Sequence, residues 1–156
     1  MSIWWSLHLR REAASVPLAR RLLLGTMETA GVDPDVSYEL SVALTEACAN
    51  AVEHGGAGAD PDAGQADPGG TLPGAYRVTA YLDGETCRIE VADSGPGFPY
   101  AEVRAAASDA EHGRGMRLIE ELSDHVQFGN RSARGGAVVS FDKILKWKDA
   151  PSLLMA

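Results

Sequence analysis

The chain has 156 residues, of which 45% are hydrophobic and 23% charged, enough for about one domain of ordinary size with its own core. Its formal net charge of -8 argues against a nucleic-acid-binding protein, which normally carries a basic surface. The sequence shows neither a long apolar span nor a signal-peptide pattern, so we expect a cytoplasmic protein without membrane segments. Cys48 and Cys87 lie in apolar-patterned segments, which indicates buried thiols and not a disulfide.

The first part of the chain predicts one strand followed by two helices. Residues Ile3 to Arg10 alternate between apolar and polar side chains, which is the period of a half-buried strand. From Ala13 to Ala30 the apolar residues recur every three or four positions, as in an amphipathic helix, and Gly31 can end that helix. Asp33 and Pro34 are typical of the N-cap and the first residue of a second helix.

The later elements follow a stretch from Gly55 to Gly74 that is made almost entirely of Gly, Ala, Asp and Pro and predicts a flexible insert. After it we expect strands over Tyr76–Leu82 and Cys87–Asp93, a short helix over Tyr100–Ala107, a helix over Met116–Leu122, and strands over Val126–Phe128 and Ala137–Phe141. These elements predict an α+β fold, a two-layer α/β sandwich with helices on one face of a mixed, mostly antiparallel sheet. The domain is expected to span residues 1–148, with a loose tail over 149–156.

Polar residues on the second predicted helix form the first candidate motif. Glu46, Asn50 and His54 are spaced four apart, so they project from successive turns of one helix face. A carboxylate and an amide in this arrangement can hold a magnesium ion and a reacting hydroxyl, because Mg²⁺ prefers oxygen ligands. The alternative is a solvated helix face, which is the commoner origin of such a pair.

The second candidate motif, Asp93-Ser94-Gly95-Pro96-Gly97, follows a predicted strand. Asp93 shares the strand face of Ile89 and Val91, so its side chain should point to the buried side. A buried carboxylate needs hydrogen bonds, and an adenine amino group with a water molecule can supply them. Gly95 and Gly97 allow the backbone to pass close to a flat ring. The alternative is a plain turn at the end of a strand.

The third candidate motif, Gly113-Arg114-Gly115-Met116, directly precedes a predicted helix. Glycines before a helix expose N–H groups and the positive end of the helix dipole, which suits a phosphate, and Arg114 can add a charged contact. The segment is not a Walker A sequence, since Gly-Lys-Ser/Thr does not occur, nor a dinucleotide fingerprint, since Leu118 replaces the third glycine. A flexible connector is the alternative.

In their order and spacing, the three motifs together resemble the nucleotide-binding boxes of the GHKL (Bergerat-fold) ATPase superfamily. Within it, they are similar to those of the small anti-sigma factor serine-protein kinases, with residues 45–54 as the N box, 91–98 as the G1 box and 112–119 as the G2 box. The resemblance extends from Ser6 to about Phe141. It implies the Bergerat ATP-binding fold, with ATP and Mg²⁺ as cofactors.

The resemblance also implies roles for individual residues. Glu46 corresponds to the general base that takes the proton from a substrate hydroxyl, and Asn50 corresponds to the Mg²⁺ ligand. Asp93 corresponds to the adenine-reading aspartate. The implied nucleotide-binding set is Asn50, Asp93, Gly95, Gly97, Gly113, Arg114, Gly115 and Met116. One position departs from the family pattern: the last strand usually begins Gly-Thr or Gly-Ser, and here the residues are Gly136-Ala137, which removes a hydroxyl expected near the adenine aspartate.

The function implied is that of an ATP-binding anti-sigma factor that sequesters a sigma factor and phosphorylates a serine on an anti-anti-sigma factor. The alternative is a nucleotide-gated protein-binding regulator of the same type without significant kinase activity. The catalytic half of a histidine kinase is disfavoured, since no helical hairpin with a phosphoacceptor His precedes the domain. The expected partners are proteins, with no direct nucleic-acid or membrane contact, and a homodimer is left open.

Overall fold

The computed structural model describes residues 2–54, 74–93, 111–132 and 135–148. Its elements, in chain order, are β1 (Ile3–Arg10), α1 (Ser15–Ala30), α2 (Pro34–His54), β2 (Ala75–Leu82), β3 (Thr86–Asp93), α3 (Glu111–Leu122), β4 (His125–Ser132) and β5 (Gly135–Ile144). The strands form one five-stranded sheet in the order β1-β2-β3-β5-β4. All four described pairings are antiparallel, so the predicted α+β sandwich is confirmed with an antiparallel sheet in place of a mixed one.

The core lies between the helices and one face of the sheet, which we call the inner face. The antiparallel register aligns the apolar positions of neighbouring strands on this face: Val78 is opposite Val91, and Val91 is opposite Val139. These side chains form one buried cluster with Leu23 of α1 and Leu40 of α2. Helix α2 packs against both α1 and α3, so it occupies the centre of the helical layer.

The outer face of the sheet carries the opposite set of side chains. Trp4 and Trp5 show the alternation directly. Trp4 is 61% exposed on the outer face, and its ring contacts that of Tyr81 with centroids 6.3 Å apart. Trp5 packs against the core, and its indole N–H donates to the hydroxyl of Thr26 at 3.1 Å. The period-two pattern of β1 therefore predicted correctly which residues face the helices.

Local residues define the junction of α1 and α2 as the sequence predicts. Gly31 ends α1 with a φ of 87°, a left-handed conformation that glycine adopts without strain. Asp33 then accepts a hydrogen bond on its carboxylate from the Asp35 N–H at 2.8 Å, which is the N-cap interaction. Helix α2 begins at Pro34, whose fixed φ suits the first helical position.

The predicted bounds of three elements were wrong by more than two residues at one end or both. The third described helix begins at Glu111 and not at Met116, so Gly113 and Gly115 lie inside α3 instead of before it. Packing against α2 outweighs the weak helix propensity of these glycines. Strands β4 and β5 are also longer than predicted and pair as far as Ser132 and Gly135, because their backbone pairing continues beyond the short hydrophobic pattern of either strand.

Several predicted segments lie outside the described residues. These are the insert apart from Gly74, the short helix over Tyr100–Ala107, the glycines Gly95 and Gly97, and the tail over 149–156. The described part of the chain contains three helices, and none of these combines the length and the apolar character needed to cross a bilayer.

Candidate functional site

Helix α2 supplies two polar side chains at the edge of the core. The helix is fixed by its apolar stripe, so Glu46 is half-buried and Asn50 is only 7% exposed. The side-chain amide nitrogen of Asn50 is buried and has no hydrogen-bond partner among the residues that the structure describes. Burying an unpaired amide costs about 1–3 kcal/mol, and such groups in native proteins usually serve a ligand or an ordered water.

Helix α3 brings the third motif against these two side chains. A Cβ atom at Gly115 would lie 2.8 Å from Oε2 of Glu46 and 3.8 Å from both terminal atoms of the Asn50 amide. Only glycine allows this approach without displacing the Glu46 carboxylate. Met116, the next residue, is buried. Gly113 and Arg114 directly precede Gly115 in α3, and their surroundings fall outside what the structure describes.

Asp93 is the last residue of β3 and lies on the inner face of the sheet, against which α2 packs. It is buried, as its strand position predicts, with 7% of its surface exposed. The backbone N–H of Ala137 donates to its carboxylate at 3.3 Å. Ala137 is the residue that replaces the hydroxyl expected from the family pattern, and it still lies beside Asp93. Gly136 before it has a φ of 94°, where other residues are strained.

A buried polar network lies between Asp93 and the middle of α2. Tyr76 of β2 is directly opposite Asp93 in the sheet register. Its hydroxyl contacts the Ser15 hydroxyl at 2.5 Å and hydrogen-bonds with the thiol of Cys48, which lies between Glu46 and Asn50 in α2. Burial raises the pKa of Cys48 to about 12, so this thiol stays neutral and helps to hold α2 against the sheet.

Both cysteines are free and buried, as the sequence indicated. Burial also raises the pKa of Cys87 to about 12. Neither thiol is therefore available as a nucleophile at neutral pH. Among the described residues no group of three His, Cys, Asp or Glu side chains is arranged to hold a metal ion.

Two basic residues at the helix ends were missed by sequence reasoning. Arg11 donates to the carbonyl groups of Ala51 and Val52 at the end of α2, at 3.2 and 2.8 Å. Lys143 donates to the carbonyl of Leu122 at the end of α3, at 2.9 Å. Each places a cation at the negative end of a helix dipole. Neither residue could be identified from spacing along the sequence, because the carbonyl groups that it contacts lie on another element.

The fold and these residues together define a class of protein. Residues 9–143 match the family of histidine kinase-like ATPase domains. The chain belongs to this family, which confirms the superfamily resemblance inferred from the three motifs.

Within that class, the chain is similar to the serine-protein kinases RsbW. It is 30% identical to RsbW of Bacillus pumilus (strain SAFR-032) over 140 residues, which cover 83% of this chain and 78% of that protein. The identity to RsbW of Bacillus subtilis (strain 168) is 29% over the same shares.

Solved structures share the fold. The RsbU and RsbW domains of Rv1364c from Mycobacterium tuberculosis superpose with a TM-score of 0.60 at 20% identity, over 92% of this chain and 34% of that one. The chain thus spans about a third of that larger protein. The SiaB–SiaC complex from Pseudomonas aeruginosa gives a TM-score of 0.56 at 10% identity, over 90% of this chain and 89% of the matched chain.

Proposed function

We propose that this protein is a cytoplasmic, ATP-dependent serine kinase of the RsbW type, formed by a single domain over residues 1–148. It sequesters a sigma factor and phosphorylates a serine on an anti-anti-sigma protein. The observation that carries this proposal is the close approach of Gly115 to Glu46 and Asn50. It places a carboxylate beside an amide whose nitrogen has no partner among the described residues. The similarity to the RsbW kinases supports the choice of a protein serine as substrate.

The residues of the site fit Mg-ATP. The amide nitrogen of Asn50 is buried and has no partner within the described part of the chain, so it can donate to a bound phosphate oxygen while the amide oxygen faces the metal. Asn50 is the Mg²⁺ ligand, and few protein ligands suffice because Mg²⁺ also takes phosphate oxygens and waters. Gly115 has no Cβ, which allows α3 to lie against the Glu46 carboxylate without displacing it. Asp93 accepts a hydrogen bond from the adenine amino group. The remaining proposed nucleotide contacts are Gly95, Gly97, Gly113, Arg114 and Met116.

The chemistry assigned to this chain is simple. Bound Mg-ATP supplies the electrophilic phosphorus and the counter-charge for its oxygens. Glu46 accepts the proton of the substrate serine as its oxygen attacks. The carboxylate is half-buried and lies against Gly115, so its position is constrained on one side. Phosphoryl transfer depends mainly on positioning, so a fixed base and a held metal are sufficient.

The test is transfer of labelled phosphate from ATP to purified anti-anti-sigma proteins, with Glu46→Ala against wild type. Loss of a general base should reduce transfer by a factor of about 100 or more, while ATP affinity changes little. Glu28→Ala is the matched control, because Glu28 is an exposed glutamate on α1. Unchanged transfer in Glu46→Ala contradicts the role of the base.

The alternative is a nucleotide-gated regulator without significant kinase activity. Ala137 favours it, since this residue lacks the hydroxyl expected beside Asp93 and offers its backbone N–H to the carboxylate instead. Wild-type protein that binds ATP but transfers no phosphate to any of several antagonists would support this alternative. Affinity purification from native extract, with and without ATP, identifies the partner in either case.

A further inference from the structure

Arg11 joins three separate parts of the fold. It lies in the connection between β1 and α1, and its guanidinium crosses to the C-terminal end of α2. Nε donates to the Ala51 carbonyl at 3.2 Å and a terminal nitrogen donates to the Val52 carbonyl at 2.8 Å. Its backbone N–H donates to the Gly74 carbonyl at 3.0 Å. One residue therefore holds both the end of α2 and the start of β2.

The two carbonyl groups are ones that a helix cannot satisfy by itself. The last four carbonyls of an α-helix have no partner inside the helix. Because α2 ends at His54, Ala51 and Val52 contribute two of these four. The forked guanidinium hydrogen-bonds both, and its charge lies at the negative end of the helix dipole. Without it, these carbonyls need other partners and the last turn can fray.

We propose that Arg11 is a positioning residue that holds Asn50 in place for Mg²⁺. Asn50 directly precedes Ala51, and its buried amide belongs to the turn that Arg11 closes. Glu46 lies one turn earlier in the helix, and Asp93 lies on β3, so neither depends on this end of α2. Arg11 therefore affects the metal-dependent part of nucleotide binding and leaves adenine recognition intact. This inference rests on the proposed function, in which Asn50 is the metal ligand.

The substitution Arg11→Met tests the proposal, because it keeps the aliphatic stem and removes the donors and the charge. The probe is a non-hydrolysable ATP analogue, titrated by calorimetry with Mg²⁺ and again with EDTA. Loss of a residue that orients a metal ligand typically costs about 10-fold or more in metal affinity. We expect a loss of that size with Mg²⁺ and less than about 2-fold with EDTA. Arg11→Lys keeps a cation and should recover part of the loss.

The matched control is Arg10→Met, since Arg10 is the exposed neighbour on β1 and carries the same charge. It should bind the analogue as wild type does. Equal losses for Arg11→Met with and without Mg²⁺, or no loss with Mg²⁺, would overturn the positioning role.

Hydrogen exchange in the nucleotide-free protein separates this inference from the proposed function. In Arg11→Met the amides of residues 51–54 should exchange faster than in wild type, with unchanged exchange in the middle of β3. Unchanged exchange at the end of α2 would contradict the proposal that Arg11 holds the last turn of this helix. A different result separates the two proposals: the wild-type protein binds no analogue, but exchange at the end of α2 is faster in Arg11→Met. This result would refute ATP binding and would still show that Arg11 holds the last turn of α2.

Discussion

Aspartate side chains have opposite surroundings on the two faces of the sheet. Asp93 ends β3 on the inner face, where it is 7% exposed and accepts the Ala137 N–H at 3.3 Å. Asp142 lies in β5 on the outer face, where it pairs with His125 at 2.8 Å and the histidine side chain is 76% exposed. Water solvates the second carboxylate at little cost, whereas burial of the first must be offset by hydrogen bonds.

This difference shows which polar residues indicate a binding site. On the outer face, Arg88 and Glu90 form another pair at 3.0 Å, with the arginine side chain 53% exposed. Exposed pairs of this kind contribute about 0–1 kcal/mol and imply no function. The inner face is otherwise apolar along β2 and β3 up to the end of the strand. An acid in that position costs stability, and a binding site is the economical reason for keeping it.

Asp93→Asn gives the largest expected effect. The amide has nearly the same volume but presents donors where the carboxylate accepts, so ATP affinity should fall about 100-fold, as for a lost hydrogen bond to a charged group. Calorimetric titration measures this. Asp142→Asn is the matched control on the outer face and should leave the affinity unchanged. Equal affinities for the two variants would remove the distinction between the faces.

Asn50→Ala should weaken binding mainly in the presence of the metal. We expect an affinity loss of roughly 10-fold or more with Mg²⁺ and a much smaller loss in EDTA. The nucleotide-free variant should be no less stable than wild type, because an amide nitrogen without a partner in the described structure costs about 1–3 kcal/mol and this penalty disappears. Denaturant unfolding checks the second part. A strongly destabilised variant would mean that the amide has a structural partner.

Gly115→Ala should change helix stability and phosphate transfer in opposite directions. The new methyl group would lie 2.8 Å from the Glu46 carboxylate, which must move aside. Phosphate transfer should fall about tenfold through misplacement of the base. The helix itself gains about 1 kcal/mol from replacing an interior glycine.

Gly25→Ala in α1 is the control for Gly115→Ala. A Cβ at Gly25 meets nothing within 4 Å, so this variant should gain the same helix stability with full transfer activity. If both variants retain full transfer, the contact between Gly115 and Glu46 has no catalytic consequence.

The smallest effect concerns the outer face. The hydrogen bond to Asp142 and the charge of that carboxylate raise the pKa of His125 above its ordinary value of 6.5. The protonated pair therefore stabilises the folded state below pH 6.5, and this contribution is lost as the pH rises through the higher folded-state pKa. An NMR titration should show the raised value, and Asp142→Asn should lower it.

Local patterns predicted most of the fold. The alternation over Ile3–Arg10 gave β1 with its observed bounds and placed Trp4 and Trp5 on opposite faces. Asp33 and Pro34 located the start of α2 because capping depends on neighbours along the chain. The start of α3 was not predictable in this way, since Gly113 and Gly115 disfavour a helix until packing against α2 compensates.

The sequence by itself determined the period of each element, the side of the sheet on which each strand residue lies, and the residue types of the site. These follow from spacing and side-chain chemistry. Only the tertiary structure decided that Gly115 lies against Glu46 and Asn50, and that Arg11 closes the end of α2. Such contacts join residues distant in the chain, and their geometry depends on how whole helices pack.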